Sequence, residues 1–236
     1  MSDILLVHGS CHGAWCFRDL IPALEALGHS ARAIDLPSHG QDSTPIEDVT
    51  LDTCGQTVAD ALGDNTFVLG HSWGGYPISR AADLADGKIA RLIFLCAYAP
   101  WDRHSLADMR RAAPRQPILD AVIKSEDGLS YTIDPAKTRR VFYHDTPEGT
   151  EDFANDHLCP QPILPQETPI SLGSGYAKTP KSYIRCNNDQ TIPPEFQHTM
   201  TKDWPSEDVY EMDTSHSPFL AAPEELAALV HRIITK

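Results

Sequence analysis

The stretch Thr66-Phe67-Val68-Leu69-Gly70-His71-Ser72-Trp73-Gly74-Gly75 decides the fold. Thr66 to Leu69 form a short run of the kind that suits a strand buried on both faces of a parallel sheet. Gly70 to Gly74 spell G-x-S-x-G, and a helix through Ile78 and Ala82 is predicted to follow. Strand, sharp turn and helix in succession are the setting in which a nucleophile elbow lifts a serine hydroxyl above a sheet. Chance alone puts G-x-S-x-G in about one chain in ten of this size, so the flanking strand and helix carry the weight. Small residues flank Ser72 because so tight a turn leaves no room for a β-carbon. Ser72 is the candidate nucleophile.

The same alternation extends outward from this stretch. Ile4 to Val7, Ala31 to Leu36 and Ala90 to Ala97 are strand-like runs, and Phe17, Leu20, Ile21, Leu24 and Leu27 fall at helical spacing before Gly28. Towards the C-terminus, Ser182 to Arg185 and Val209 to Met212 predict two more strands. A final amphipathic helix places Leu226, Leu229, Val230 and Ile233 on one face. Alternating strands and helices predict an α/β fold, a mostly parallel sheet of about six strands covered by helices on both faces. The alternation breaks over residues 101–180, which hold nine of the nineteen prolines and nine of the nineteen Lys and Arg residues. Proline at that density forbids long helices, and a structureless loop of that length is foreign to a compact domain. The expected organisation is a core of residues 1–100 and 181–236, with 101–180 inserted as a cap of short helices.

Composition excludes several functions. The 236 residues carry 19 basic and 33 acidic side chains, a net charge of −14, which repels a nucleic-acid backbone. No apolar run approaches the roughly 18 residues that a membrane span requires, and Ile4 to Val7 lacks the basic flank and cleavage site of a signal peptide. The six cysteines include no Cys-x-x-Cys pair, so free buried thiols and a cytoplasmic location are expected.

A serine hydroxyl needs a base. In this strand–elbow–helix order the acid and then the histidine follow the serine, the histidine in a loop after the last strand. His216 stands in that place; His198 and His231 lie on helices, and His71 is read as a packing and hydrogen-bonding group. Asp189, after the strand that ends near Arg185, is the favoured acid to orient His216. Asp102, after the preceding strand, is its rival, and Asp213 is too close to His216 in the chain. The oxyanion hole is expected from the backbone N–H groups of Trp73 and of Ser10, in the loop His8-Gly9-Ser10-Cys11-His12-Gly13. Gly9, Ser10 and Trp73 are accordingly the residues expected against the substrate. His8 and His12 lack the carboxylate or cysteine pairing of a metal site, and neither metal nor cofactor is expected.

With these residues in place, the chain resembles an α/β-hydrolase of the plant methylesterase and hydroxynitrile lyase branch, with its bacterial esterase relatives. The likeness rests on Leu6-Val7-His8-Gly9-Ser10-Cys11-His12-Gly13-Ala14-Trp15, on the elbow, on Asp189 followed by Pro194-Glu195-Phe196-Gln197, and on His216. The resemblance implies a threonine at Gly9 and a lysine at Ser217 in the cyanide-releasing lyases. Neither is present, so it implies an esterase. The expected activity is two-step hydrolysis of a small, largely apolar carboxylic ester. A cofactor-free lyase and a ligand receptor with little turnover are the alternatives, and assembly as a homodimer stays open. Phe142, Tyr143, Phe153, Leu158 and Leu164 are weaker candidates for the pocket lining. The charge of −14 favours neutral over anionic esters, with the arginines of 101–180 as the counterweight.

Overall fold

The computed structural model describes residues 1–85 and 87–236. Six strands form one sheet: β1 (Asp3–Val7), β2 (Ser30–Ile34), β3 (Thr66–His71), β4 (Ile89–Leu95), and, after an intervening segment, β8 (Lys181–Cys186) and β9 (Val209–Met212). Their order is β2-β1-β3-β4-β8-β9, and every neighbouring pair is parallel. The chain steps outward from β1 to β2, then returns to place β3 on the other side of β1. At such a reversal the loops after the two strands diverge and leave a crevice at the strands' carboxyl ends. His8 to Gly13 follow β1 and Ser72 follows β3, so both open on that crevice.

The apolar runs read as continuous because the sheet is covered on both faces. Leu5, Val7, Val68, Leu92 and Phe94 belong to one core cluster, while Ile4, Leu6, Leu69, Ile93 and Leu95 belong to the other. Each fully buried side chain of this kind contributes about 1.5–3 kcal/mol. Helices α1 (Leu20–Ala26) and α10 (Pro223–Ile234) pack together on the second cluster, and α2 (Leu51–Asp60) packs with α3 (Gly75–Leu84) on the first. Thr50 caps α2, its hydroxyl accepting from Thr53 N while Thr53 Oγ1 accepts from Thr50 N. Gly28 ends α1 at φ 85°, the left-handed conformation that glycine takes without strain.

Residues 101–180 hold no long helix. They contain α4 (Leu106–Ala112), α5 (Thr150–Asn155), α6 (Leu164–Glu167) and α7 (Ser174–Lys178), with a small antiparallel sheet of β5 (Val122–Lys124), β6 (Ser130–Ile133) and β7 (Gln161–Pro162). This segment shares the cores of the main sheet: Leu106 and Met109 join the first cluster, Val141 and Phe142 the second. The remaining helices are α8 (Pro194–Met200) and the short α9 (Pro218–Ala221). No helix among the described residues is long and apolar enough to cross a membrane. All six cysteines are free, five of them buried and Cys159 half-buried.

Candidate active site

Ser72 sits at the end of β3 with φ 52°, left-handed backbone that a non-glycine residue rarely holds. The turn is as tight as its sequence implies. A β-carbon on Gly70 would lie 2.7 Å from Gly74 O, and one on Gly74 would lie 2.8 Å from both Val7 O and His8 O. The strain lifts the Ser72 hydroxyl into a pocket shared with Ser10, His12, His71 and His216. Among the described residues that hydroxyl makes no hydrogen bond. The pocket is narrow, with room for about two water molecules in this conformation.

His216 lies in the loop between β9 and α9, and its Nδ1 is 2.7 Å from Asp189 Oδ2. Because the carboxylate accepts, Nδ1 carries the proton and Nε2 is left free to take one. Asp189 is fully buried, yet each oxygen is satisfied. Oδ1 accepts from Thr191 N at 2.6 Å and Ile192 N at 2.9 Å, and Oδ2 accepts also from Gln197 Nε2 at 2.9 Å. Gln197, on α8, also spans Cys186 N and Ile192 O, which fixes the loop after β8 in front of the histidine. The rival Asp102 is exposed. It accepts from Leu172 N at 2.9 Å and lies 3.6 Å from Arg103 Nε, with no hydrogen bond to His216. Asp213 accepts from Asn187 Nδ2.

The loop after β1 is braced from residues distant in sequence. His8 accepts from Leu36 N at Nε2 and donates from Nδ1 to Gly9 O. His12 donates from Nδ1 to Ser10 O at 2.8 Å and accepts from Tyr143 Oη at 2.7 Å. Gln166 Nε2 donates to Ser10 Oγ at 2.7 Å, and Gln161 Oε1 accepts from Cys11 N at 3.4 Å. His71 donates from Nε2 to His216 O at 2.8 Å, bracing the backbone of the loop that carries His216. A β-carbon at Gly9 would meet His71 Nδ1 at 2.7 Å and Ser72 Cβ at 2.8 Å, so the position has no space for a threonine without rearrangement. Ser217 is buried, and its hydroxyl has no partner among the described residues.

Burial keeps the surrounding imidazoles neutral. It pushes His12 down to about 4, with His216 nearby adding to the shift, and drives His8 and His71 well below the usual histidine range. His39, whose Nε2 faces Gln161 Oε1 as a donor, is lowered by burial too. Above pH 6.5 these groups are neutral in folded and unfolded chains alike. As pH falls from 6.5 towards 4 the unfolded chain takes up protons that the folded chain refuses, so stability falls with pH. His12 alone accounts for about 3 kcal/mol of that loss when pH passes below its folded value. The melting temperature is expected to drop on the order of 10 °C between pH 7 and pH 5; a flat profile over that range would contradict neutral burial of these histidines.

Of the five apolar residues expected at the pocket, only Phe142 lines it. Tyr143 is buried behind His12, which takes its hydroxyl. Phe153 packs edge-on against Trp15 and under Arg18, and Leu158 packs on the outer part of the second core cluster. Leu164 is 52% exposed on α6, facing a surface groove beside Thr50 and Arg80. The lining instead comes from Leu106, Ile118, Val122 and Ile133, with Tyr98, Arg110 and Tyr131 as its polar members. Gln161, Gln166, Gln197 and Tyr143 carry no sequence signal for their bracing roles, apart from Gln197 within the stretch after Asp189.

Comparison with known proteins identifies the family. The profile of the alpha/beta hydrolase family matches residues 4–229. Methylesterase 4 of Arabidopsis thaliana is 31% identical over 252 residues, covering 98% of this chain and 96% of that protein. Methylesterase 3 of the same plant is 30% identical over 254 residues, covering 99% and 96%. Among solved structures, a pyrethroid hydrolase from Sphingobium faniae JZ-2 is similar with a TM-score of 0.85 at 27% identity, covering 98% of this chain and 96% of that one. The chain belongs to the alpha/beta hydrolase family, on the branch that holds the plant methylesterases.

Proposed function

We propose that the protein is a serine carboxylic-ester hydrolase that takes a small, largely apolar ester through an acyl-enzyme, with residues 101–180 as the cap over its pocket. As an ester-hydrolysing enzyme it shares the activity named in its methylesterase and pyrethroid hydrolase relatives. The observation that carries the mechanism is the fully buried Asp189–His216 pair at 2.7 Å, in the same pocket as a serine held at φ 52°.

In the first half-reaction Ser72 Oγ attacks the ester carbonyl while its proton passes to His216 Nε2. The oxyanion is held by the N–H groups of Ser10 and Trp73, each worth on the order of 100- to 1000-fold in rate. Asp189 stabilises the imidazolium, which then protonates the departing alcohol. Water, deprotonated by His216, attacks the acyl-serine and the acid leaves as Ser72 recovers its proton. Because the pocket holds about two waters as it stands, a substrate enters by displacing side chains of its lining, half of which belong to the 101–180 segment. The close approach of Gly9 to Ser72 and the uncharged Ser217 speak against cyanide-releasing lyase chemistry.

A screen across p-nitrophenyl acetate, methyl, aryl and bulky alkyl esters, with mandelonitrile as the lyase substrate, tests the reading. Hydrolysis of the small esters is expected, with kcat/KM falling at least about tenfold for bulky alkyl esters, one bulky group being worth 1–3 kcal/mol in a tight pocket. Cyanide release faster than ester hydrolysis would favour the lyase, and binding without turnover would favour a receptor.

A further inference from the structure

We propose that Arg110 determines specificity in this pocket, and that the ester hydrolysed here bears a carboxylate, as in the monomethyl ester of a dicarboxylic acid. The proposal rests on the esterase reading above and names its substrate class.

The argument starts from how this chain treats its arginines. There are twelve, in a protein of net charge −14, so carboxylates are plentiful. Within 101–180, Arg103 meets Asp102, Arg111 meets Asp108, Arg115 meets Glu195, Arg139 meets Glu151 and Arg140 meets Asp120. Elsewhere Arg18, Arg32, Arg80, Arg91 and Arg185 each meet a carboxylate, and Arg232 lies over the Tyr210 ring. Arg110 is the exception. Among the described residues no carboxylate lies within 4.0 Å of it, no ring lies under it, and its nitrogens make no hydrogen bond. Its Nε is buried without a partner.

Position gives that exception a meaning. Arg110 is in the last turn of α4 and lines the pocket that contains Ser72 and His216. A guanidinium nitrogen shut away from water without an acceptor is destabilising, and that cost falls when a ligand brings an anion to Arg110. The planar fork of five donors matches a carboxylate in two parallel hydrogen bonds. Tyr98 lines the same pocket, and its hydroxyl also makes no hydrogen bond among the described residues, so it offers a further donor. Tyr131 lines the pocket as well, and its hydroxyl donates to Gln166 Oε1 at 3.0 Å, which leaves Tyr98 as the free phenol beside Arg110 in the lining. Ile118, Val122 and Ile133 give the same pocket an apolar lining, suited to a short methylene chain.

The net charge of −14, which by itself favours a neutral ester, is outweighed here by one of the arginines of 101–180. Exposed acidic groups are screened over about 8 Å at physiological salt, whereas a cation inside a low-dielectric pocket acts at short range on the group it touches. The carboxylate nearest the reaction, Asp189, has its charge directed at His216.

The test compares kcat/KM for monomethyl glutarate with that for methyl butyrate, in the wild type, Arg110→Met and Arg110→Lys. The wild type is expected to prefer the carboxylate-bearing ester. Met keeps the stem and removes the charge, and is expected to lower the ratio of the two kcat/KM values roughly 10- to 100-fold, through KM. Lys is expected to restore part of it. Glutarate is also expected to inhibit p-nitrophenyl acetate hydrolysis competitively in the wild type, a readout that needs no variant to fold. A wild type that prefers methyl butyrate and is not inhibited by glutarate overturns the proposal, as does an equal loss on both esters in Arg110→Met. Failure to hydrolyse p-nitrophenyl acetate as well would instead overturn the esterase reading beneath it.

Discussion

Ser72→Ala is expected to lower kcat for p-nitrophenyl acetate by on the order of 10⁴- to 10⁶-fold, while leaving the melting temperature within about 3 °C of the wild type. The two halves of this expectation have separate causes. Without Oγ no acyl-serine forms, and what remains is the modest rate that an oxyanion hole and binding provide. Stability hardly changes because the hydroxyl makes no hydrogen bond among the described residues, so its removal orphans no buried partner. The strained φ of 52° is a property of the backbone turn, and alanine bears it as serine does. Paired kinetic and thermal measurements on the purified variant check both halves. Retention of most activity would mean that the nucleophile lies elsewhere.

Asp189→Asn is expected to lower kcat by about 10⁴-fold, whereas Asp102→Asn changes it less than about threefold. Asp189 Oδ2 accepts from His216 Nδ1 and Gln197 Nε2 together. An amide there must offer either its oxygen or its NH₂ group to the imidazole. Thr191 N and Ile192 N hold the amide oxygen at the Oδ1 position, so the NH₂ group faces Gln197 and the imidazole, and the ring adopts the tautomer that cannot take the serine proton. The substitution also weakens a fully buried site that accepts from Thr191 N and Ile192 N, so a stability loss of about 1–3 kcal/mol accompanies it. Assays well below the lowered melting temperature separate the two effects. The Asp102 carboxylate holds only Leu172 N and the exposed Arg103, and makes no contact with His216. A larger loss in Asp102→Asn than in Asp189→Asn would reassign the acid.

The sheet was legible in the sequence because its inner strands are buried on both faces, which leaves no polar alternation to confuse the pattern. The edge was less so. The run Ala31 to Leu36 pointed to a strand two residues beyond the observed end at Ile34, because Leu36 is buried in the following loop and its N–H donates to His8 Nε2. Ser72, His216 and Asp189 could be placed because each follows a recognisable strand, and the structure brings His216 and Asp189 into contact beside Ser72 in one region. The braces could not. Tyr143 reaches His12 across 131 positions and Gln166 reaches Ser10 across 156, contacts made by single polar residues with no period to betray them. Apolar character misled at Leu164, since a large share of any protein surface is apolar and side-chain type alone does not say which way α6 faces. Arg110 carried no signal either: its distinction is that eleven other arginines are partnered, which exists only in space.

The central claim, that Ser72 is a nucleophile activated by its neighbours, is met most directly by intact-protein and peptide mass spectrometry after treatment with a fluorophosphonate. One adduct per chain is expected, mapped to Ser72, and none on Ser72→Ala under the same conditions. No adduct on the wild type, or an adduct on a different residue that survives in Ser72→Ala, would contradict it.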